Sequence, residues 1–576
     1  MVNVKNLFGM AVMATALVGC ASNDDITPNG NENESNKVGT AYAKFTIQLP
    51  TVSGTRADDP KPGTPSFEGG TADEYAVKDA QLVIFQKSGA SEGDYTFVET
   101  VNIGNLEPWT DNTPNTGVTR YANITAQLNG VSLDKTGNEY FALIILNNEG
   151  QSKVKLPKSG TYSAWNDANN AKSAADFLNS DNGFYMANAP LYSTGEPTTL
   201  VPIKGVYSTK AEAQTNPATT VYVERGMAKV TVNGSDFTIN DASSTYNTDK
   251  VTINNWTLDV LNKSTFPVHV TTGLKTDFDA IWTTPRFVAT GSTPQRVYWG
   301  KDPNYNKSTL TTVAKCQEEF YIVDNNGKTY NGDPSSTFTW SANTTPLYCL
   351  ENTFDLNNMK QGQTTRVVFK ATYTPHNLTG TDKTFFMIGN NTQIWTKDAL
   401  EAQITSKAKE MLKSTTVVVT INTDAPLLKG GSHLLSSADV TIMDGSVDKT
   451  AAFDYATLNT KLGLNNTETD VNGNPKVGIK TYKNGECYYI ARIKHFNELT
   501  PWASGQAYGT DNATFLGRYG VLRNNWYDLT VSKVSAPGYP DVPVVDPKTP
   551  DDEDTKYINV EVKILDWAKR SQSIDL

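Results

Sequence analysis

The chain has 576 residues, a net charge of −11 and 19% charged residues. That length suits two or three domains, and the acidic balance excludes a nucleic-acid binder, which needs a basic stripe to neutralise phosphates. Gly, Asn, Thr and Tyr are abundant and charged helical stretches are few, as in an extracellular β-protein with polar loops.

Lys5 gives a small positive n-region, and the mostly apolar run from Phe8 to Gly19 is too short to span a bilayer. It ends in Leu17-Val18-Gly19-Cys20, small residues ahead of a cysteine, which suits a lipoprotein signal peptidase. Residues 1–20 are therefore expected to be a lipoprotein signal peptide, with Cys20 lipidated and the outer membrane as a partner through that lipid. Two or three acyl chains anchor far more firmly than one, at about 0.8 kcal/mol per buried CH2. The acidic Ala21-Ser22-Asn23-Asp24-Asp25 resembles the export tag that sends Bacteroidales lipoproteins to the cell surface. Thr27 to Thr40 is poor in apolar residues and is expected to be disordered. No later run is apolar and long enough to span a membrane.

Next, Ala41, Ala43, Phe45, Ile47 and Leu49 alternate with Tyr42, Lys44, Thr46 and Gln48, the period-2 mark of a strand with one buried face. Gly54-Thr55-Arg56-Ala57-Asp58-Asp59-Pro60 then forms a polar loop open to proteases, and a trypsin-like or Arg-specific enzyme would cut it between Arg56 and Ala57. Asp79–Phe85 begins a β-rich region, and Glu139–Asn148 reads as a central strand ended by turn formers. A short helix is expected at Ala171–Leu178. Val221–Val232 reads as one strand with a bulge at Gly226, and a domain boundary is placed near Asn233-Gly234. Further strands are expected at Val251–Leu261, Thr365–Tyr373, Thr415–Asn422, Glu486–Lys494 and Trp526–Val534. A helix from Lys397 to Lys413 is capped by Thr396, with Leu400, Ile404, Ala408 and Met411 on one side. Strands without regular intervening helices disfavour a βαβ architecture.

At the far end, Ile558, Val560, Val562 and Ile564 alternate with Asn559, Glu561 and Lys563. The preceding Pro537–Lys556 is proline-rich and then acidic from Asp551 to Asp554, so it is expected to act as a semi-rigid linker holding the last strand away from its own domain. One end thus has a strand that proteolysis would remove, and the other a strand that a linker would deliver elsewhere. The second fits the groove the first would vacate, which is β-strand addition between copies. Such a head-to-tail contact need not close on itself, and then it builds a filament.

No constellation of catalytic chemistry stands out. Apart from Cys20, the cysteines are Cys316, Cys349 and Cys487, an odd count without a C-x-x-C, and the sequence leaves open whether any two pair. His269, His376, His433 and His495 have no metal-ligand spacing, so no metal or cofactor is expected. Gly89-Ala90-Ser91-Glu92-Gly93 matches the nucleophile pattern G-x-S-x-G but is followed by the strand-like Tyr95–Val98 where that pattern needs a helix. Asn326-Gly327-Lys328-Thr329 lacks the earlier glycine of a phosphate loop, Ile322 standing in its place. Asp470-Val471-Asn472-Gly473-Asn474 suits a hairpin turn better than a calcium loop, since Thr481 stands where the bidentate Glu would be. Paired carboxylates for glycoside hydrolysis need only spatial proximity, which spacing does not reveal.

Several short stretches belong together. The Cys20 region, Gly54-Thr55-Arg56, Val223-Glu224-Arg225, Tyr348–Asn352, Thr364–Val368 and Tyr519–Asn525 resemble, in order, the Bacteroidales type V pilus (fimbrillin) family, and most of all the shaft subunits of its short fimbriae. Trp567 and Ser573-Ile574-Asp575-Leu576 resemble the shaft-type tail; Cys316–Thr345 matches least and reads as an insertion. The resemblance implies two antiparallel, transthyretin-like β-sandwich domains with short helical decorations and a C-terminal extension. It divides the chain into a signal peptide (1–20), a propeptide with a removable first strand (21–56), N-terminal (57–235) and C-terminal (236–535) sandwiches, and a Pro-rich linker with donor strand (536–576). It further implies export as a surface lipoprotein, cleavage at Arg56–Ala57, and filling of the opened groove by Ile558–Leu565 of a neighbour. The partners implied are other copies, other pilus subunits and the protease; the role implied is adhesion and biofilm formation, not catalysis. A tip or accessory adhesin, or a surface glycan-binding lipoprotein, is the alternative.

Overall fold

The computed structural model describes residues 40–50, 71–106, 110–111, 118–133, 139–170, 172–177, 183–279, 282, 295–305, 309–353, 355–471, 473–495, 516–551 and 558–565. The first sheet contains β1 (Ala41–Pro50), β2 (Ala80–Gln86), β3 (Thr96–Gly104), β4 (Val118–Leu128), β5 (Tyr140–Leu146), β6 (Met186–Asn188) and β7 (Thr219–Arg225). Their order is β3-β2-β5-β6-β7-β1-β4, with Thr110–Asp111 beyond β4 and Val201–Pro202 on β5. Val101 and Ile103 of β3 share one core with Ala122 and Ile124 of β4, although these strands stand far apart in the order, so the sheet folds over on itself. Ile84 and Ile144 enter that core while Val83 and Leu143 enter another, which is why β2 and β5 are continuous apolar runs.

The other main strands are β8 (Ala228–Asn233), β9 (Lys250–Asp259), β10 (Leu347–Cys349), β11 (Arg366–Thr374), β12 (Val417–Ile421), β13 (Val440–Asp444), β14 (Glu486–Arg492), β15 (Trp526–Val534) and β16 (Ile558–Leu565). Two four-stranded sheets, β10-β8-β15-β16 and Asp236–Thr238-β9-β11-β14, face each other across one core that includes Val230, Leu529, Val251, Phe369 and Tyr489. The protein is mainly β, in agreement with the sequence. Its sheets are not purely antiparallel: β1 runs parallel to β7, and β8 parallel to β15.

Two further details depart from the sequence reading. Val221–Val232 is not one bulged strand; β7 and β8 belong to different sheets, and Gly226 stands between them. A Cβ on Gly226 would lie 2.7 Å from the Phe177 ring, so only glycine lets the chain cross there. Among the described residues of the expected helix Ala171–Leu178, Ala174–Phe177 is helical, while Lys172 is drawn into a bridge with Thr265.

β11 and β14 are hydrogen-bonded neighbours, yet residues 375–485 lie between them. Much of that insertion forms a lobe with its own core. Helix α1 (Lys397–Leu412) lays Leu400, Ile404 and Ala408 against Val417, Val419 and Ile421, and helix α2 (Tyr455–Lys461) adds Leu458. As expected, Thr396 caps α1, its hydroxyl accepting from the Ala399 N–H at 3.2 Å. The outer edge of β12 is blocked by α1: the Val419 and Ile421 N–H groups donate to Thr405 Oγ1 and Glu401 Oε1. No helix among the described residues is long and apolar enough to cross a membrane.

Candidate strand-exchange site

β1 lies inside the first sheet. It pairs with β4 from Ala41 opposite Leu128 to Pro50 opposite Val118, and with β7 from Phe45 to Gln48. Ala41, Ala43, Phe45 and Ile47 are 0% exposed and Leu49 is 2% exposed, all in one core. The opposite face is tied down by polar contacts. Tyr42 and Tyr207 exchange two backbone hydrogen bonds, Lys44 Nζ donates to the Gln214 carbonyl at 3.0 Å, and Thr46 Oγ1 to Asn123 Oδ1 at 2.7 Å. Phe45, Ile47 and Leu49 alone stabilise this arrangement by roughly 5–9 kcal/mol of apolar burial. Without β1, the facing edges of β4 and β7 would lose their ladder partners and that core would meet water. Arg56, Ala57, Cys20 and Trp567 lie outside the described residues, as do Thr27–Asn36 and Ser573–Leu576.

The last strand is not held away from its own chain. β16 runs antiparallel along β15, with Ile558 opposite Val534, Val560 opposite Val531, Val562 opposite Leu529 and Ile564 opposite Tyr527. Among the described strands it stands at the end of its sheet and pairs on one side. The reason lies in the proline-rich segment before it, which is docked as a strap. Tyr539 and Tyr488 exchange backbone hydrogen bonds of 2.7 and 2.8 Å, Arg366 Nη2 donates to the Pro543 carbonyl, and Val542 and Val545 are buried. Prolines lack the N–H a ladder needs, but their carbonyls still accept, and here arginine supplies the donor. Val542, Val544 and Val545 among the prolines were the signal in the sequence that this stretch docks.

Of the stretches that carried the family resemblance, the described ones, Val223–Arg225, Tyr348–Asn352, Thr364–Val368 and Tyr519–Asn525, converge between the first sheet and the second sandwich. Arg225 donates through its backbone N–H and its guanidinium to Asn524 Oδ1, both at 3.2 Å. Asn352 Nδ2 reaches Thr365 Oγ1 at 3.0 Å, and Arg366 Nε reaches Asp259 at 2.8 Å. Arg523 Nε donates to Glu351 Oε2 at 2.9 Å and Arg523 Nη2 to Thr265 Oγ1 at 2.9 Å. Burial alone would raise the Glu351 carboxyl, but Arg523 and His269 beside it hold it below the ordinary carboxylate range. Glu224 joins His269 Nδ1 at 3.0 Å and Arg296 at 3.2 Å. Spacing along the chain gave no hint of this junction, since its members lie up to three hundred positions apart.

Residues 480–573, which include β14, β15, the strap and β16, match the family described as Major fimbrial subunit protein type IV, Fimbrillin, C-terminal. The C-terminal part of the chain thus matches a fimbrillin family model. No curated protein matches the sequence. Among solved structures, the chain is similar to a candidate cell adhesion protein from Parabacteroides distasonis, at 10% identity over 93% of this chain and 99% of that one, with a TM-score of 0.37. It is also similar to a fimbrilin (fimA) from Porphyromonas gingivalis, at 11% identity over 92% and 99%, TM-score 0.34. A third is the tip fimbrial protein Mfa3 from Porphyromonas gingivalis with a C-terminal truncation, at 12% identity over 91% and 100%, TM-score 0.28.

The residues weighed for catalysis are occupied structurally. Ser91 caps the 3-10 turn Glu92–Asp94 in the hairpin between β2 and β3, accepting the Gly93 N–H at 3.3 Å. Asp470 closes a turn by accepting from the Asn474 N–H at 2.9 Å, and Asp324 closes another around Gly327-Lys328-Thr329. His376 Nδ1 meets Asp249 at 2.6 Å, His495 Nδ1 meets the Tyr527 hydroxyl at 2.6 Å, and His433 Nε2 meets the Gly430 carbonyl. Cys316, Cys349 and Cys487 are free and buried, and burial raises their thiols to about 11, 12 and 12. Among the described residues, no three His, Cys, Asp or Glu side chains are grouped to hold a metal ion.

Glu92 behaves differently from its motif neighbours. Its Oε2 accepts the Thr199 and Leu200 N–H groups at 2.8 and 2.9 Å, yet burial raises its carboxyl from 4.5 to about 7. The folded carboxyl therefore holds its proton more tightly than the unfolded one, and stability is fullest below pH 4.5 and falls as pH rises to about 7. Buried Asp302 and half-buried Asp541, raised to about 7 and about 6, act in the same direction. Glu92→Gln keeps an acceptor for both N–H groups and is expected to flatten the decline in urea midpoint between pH 4.5 and 7 without abolishing it. An unchanged slope would show that Glu92 does not titrate in this window.

Proposed function

We propose that this protein is a fimbrillin, a structural pilus subunit that is exported as a lipoprotein through Cys20, cut between Arg56 and Ala57, and polymerised when the last strand of one copy replaces β1 of another. The observation that carries this reading is the placement of β1. It is an interior strand with its apolar face buried, and the polar, Arg-containing stretch Gly54–Pro60 follows it in sequence. Cutting that stretch separates β1 covalently from the rest of its sheet. Ile558, Val560, Val562 and Ile564 have the same alternation as Ala41 to Leu49 and suit the vacated groove.

The exchange has a direction. On β15 the last strand has one hydrogen-bonded neighbour among the described strands, whereas the groove offers two, β4 and β7. The trade gains a second ladder edge and closes an open core, and it makes dissociation slow. Assembled subunits would lie outside the outer membrane as a pilus, with other copies and other pilus subunits as partners.

The test is trypsin treatment of the purified precursor, followed by size-exclusion chromatography and negative-stain microscopy. The expected result is cleavage at Arg56 and filaments, with Arg56→Ala remaining monomeric. Normal filaments from Arg56→Ala would remove the protease step. The lobe within residues 375–485 favours a second, additional reading as an adhesin, because it is a separately cored insertion away from the strand-exchange groove.

A further inference from the structure

The C-terminal extension has two parts with different mechanical roles, and Asp551 divides them. Its side chain is 1% exposed and its Oδ2 accepts the Thr364 hydroxyl at 3.0 Å. Its backbone N–H donates to the Met359 carbonyl at 3.2 Å, and its own carbonyl accepts Arg492 Nε at 3.2 Å. Upstream, the Gln361 N–H donates to the Thr549 carbonyl at 3.0 Å, and Gln361 Oε1 accepts the Asp546 N–H at 3.2 Å. Val545 sits at 0% exposure in a small core with Cys316, Phe320 and Val260. These contacts bind the strap to β9, β11, β14 and the segments around them. Nothing in them depends on where the last strand pairs.

We propose that the strap, residues 535–551, stays on the donor body during strand exchange, so that the face around Met359, Thr364 and Asp551 is the surface that meets the groove of the next copy. This rests on the strand-exchange reading above. The geometry follows from chain length. Ile558 is seven residues beyond Asp551, and that much chain spans at most about 25 Å. The mouth of the acceptor groove must therefore lie within that distance of the donor's Asp551. A strap that peeled away from Tyr539 onward would instead give the arm nineteen residues before Ile558 and a reach of about 65 Å, with no single contact face. The occupant of the face is a second copy of this chain, because the tether ends in the strand that the copy receives.

Hydrogen exchange on the processed full chain, as monomer and as filaments, tests this directly. The amides of Tyr539, Val542 and Asp551 are expected to be equally protected in both states. Deleting residues 553–555 shortens the tether and is expected to lower filament yield at least tenfold, while the monomer keeps the protection of β9, β11 and β14. Adding Asp551→Ala to the shortened chain is expected to restore filaments, because a loosened strap supplies slack. The inference is overturned if strap amides exchange at least tenfold faster in filaments, or if the shortened chain assembles normally. A chain ending at Lys556 separates the two levels: filaments from it would sink strand exchange itself, whatever the strap does.

Discussion

Processed chains that end at Lys556 are expected to remain monomeric after trypsin treatment, where the full-length chain gives filaments. The truncation removes β16 and leaves the strap and every other described strand in place. β15 keeps its parallel partner β8, so the second sandwich retains an interior sheet contact and the monomer stays folded. What is lost is the strand for the neighbour's groove. Its four alternating apolar side chains supply roughly 6–12 kcal/mol on burial, before the entropy of association is subtracted. Ladder bonds to β4 and β7 would add register. Chromatography and microscopy read the outcome, with a near-complete loss of filaments expected. Filaments of ordinary yield from the truncated chain would show that another contact builds the polymer.

A second large effect is expected at the junction. Arg523→Ala should lower the unfolding free energy by about 3–5 kcal/mol, because it leaves the Glu351 carboxylate buried without its cation. Both side chains are nearly inaccessible, at 2% and 1% exposed, and Arg523 also donates to Thr265. Replacing both members, as in Arg523→Met with Glu351→Met, should cost much less than the single change, since no unpaired charge remains. Urea denaturation of the three proteins measures this. Equal losses for single and double variants would mean that packing, not charge, holds the junction. The consequence reaches assembly: the junction joins the sheet that bears the groove to the sandwich that bears the last strand. A loosened junction would let donor and acceptor ends of one subunit move independently, so filaments from Arg523→Ala should be fewer and more irregular.

The sequence by itself determined the features that are local. Ala41 to Leu49 alternate, and alternation alone states that one face is buried, which the structure bears out residue by residue. Thr396 ahead of Lys397–Leu412 was legible as a cap because capping is settled within one helical turn. The strand at Trp526–Val534 was legible for the same reason, its side chains alternating along a short run. Asp470 reads as a turn residue and is one.

Only the tertiary structure decided which strands become neighbours. Periodicity says which face of a strand is buried, but not against what, so the parallel pairings of β1 with β7 and β8 with β15 had no signal along the chain. Gly226 looked like a bulge because a missing side chain reads alike whether a strand bends or changes sheet; the Phe177 ring, far off in sequence, makes the difference. The strap is the clearest case. Prolines announce that a segment cannot join a ladder, but not that Arg366 and Arg492 wait to bond its carbonyls. Those donors belong to β11 and β14, which come beside the strap only once the second sandwich has closed.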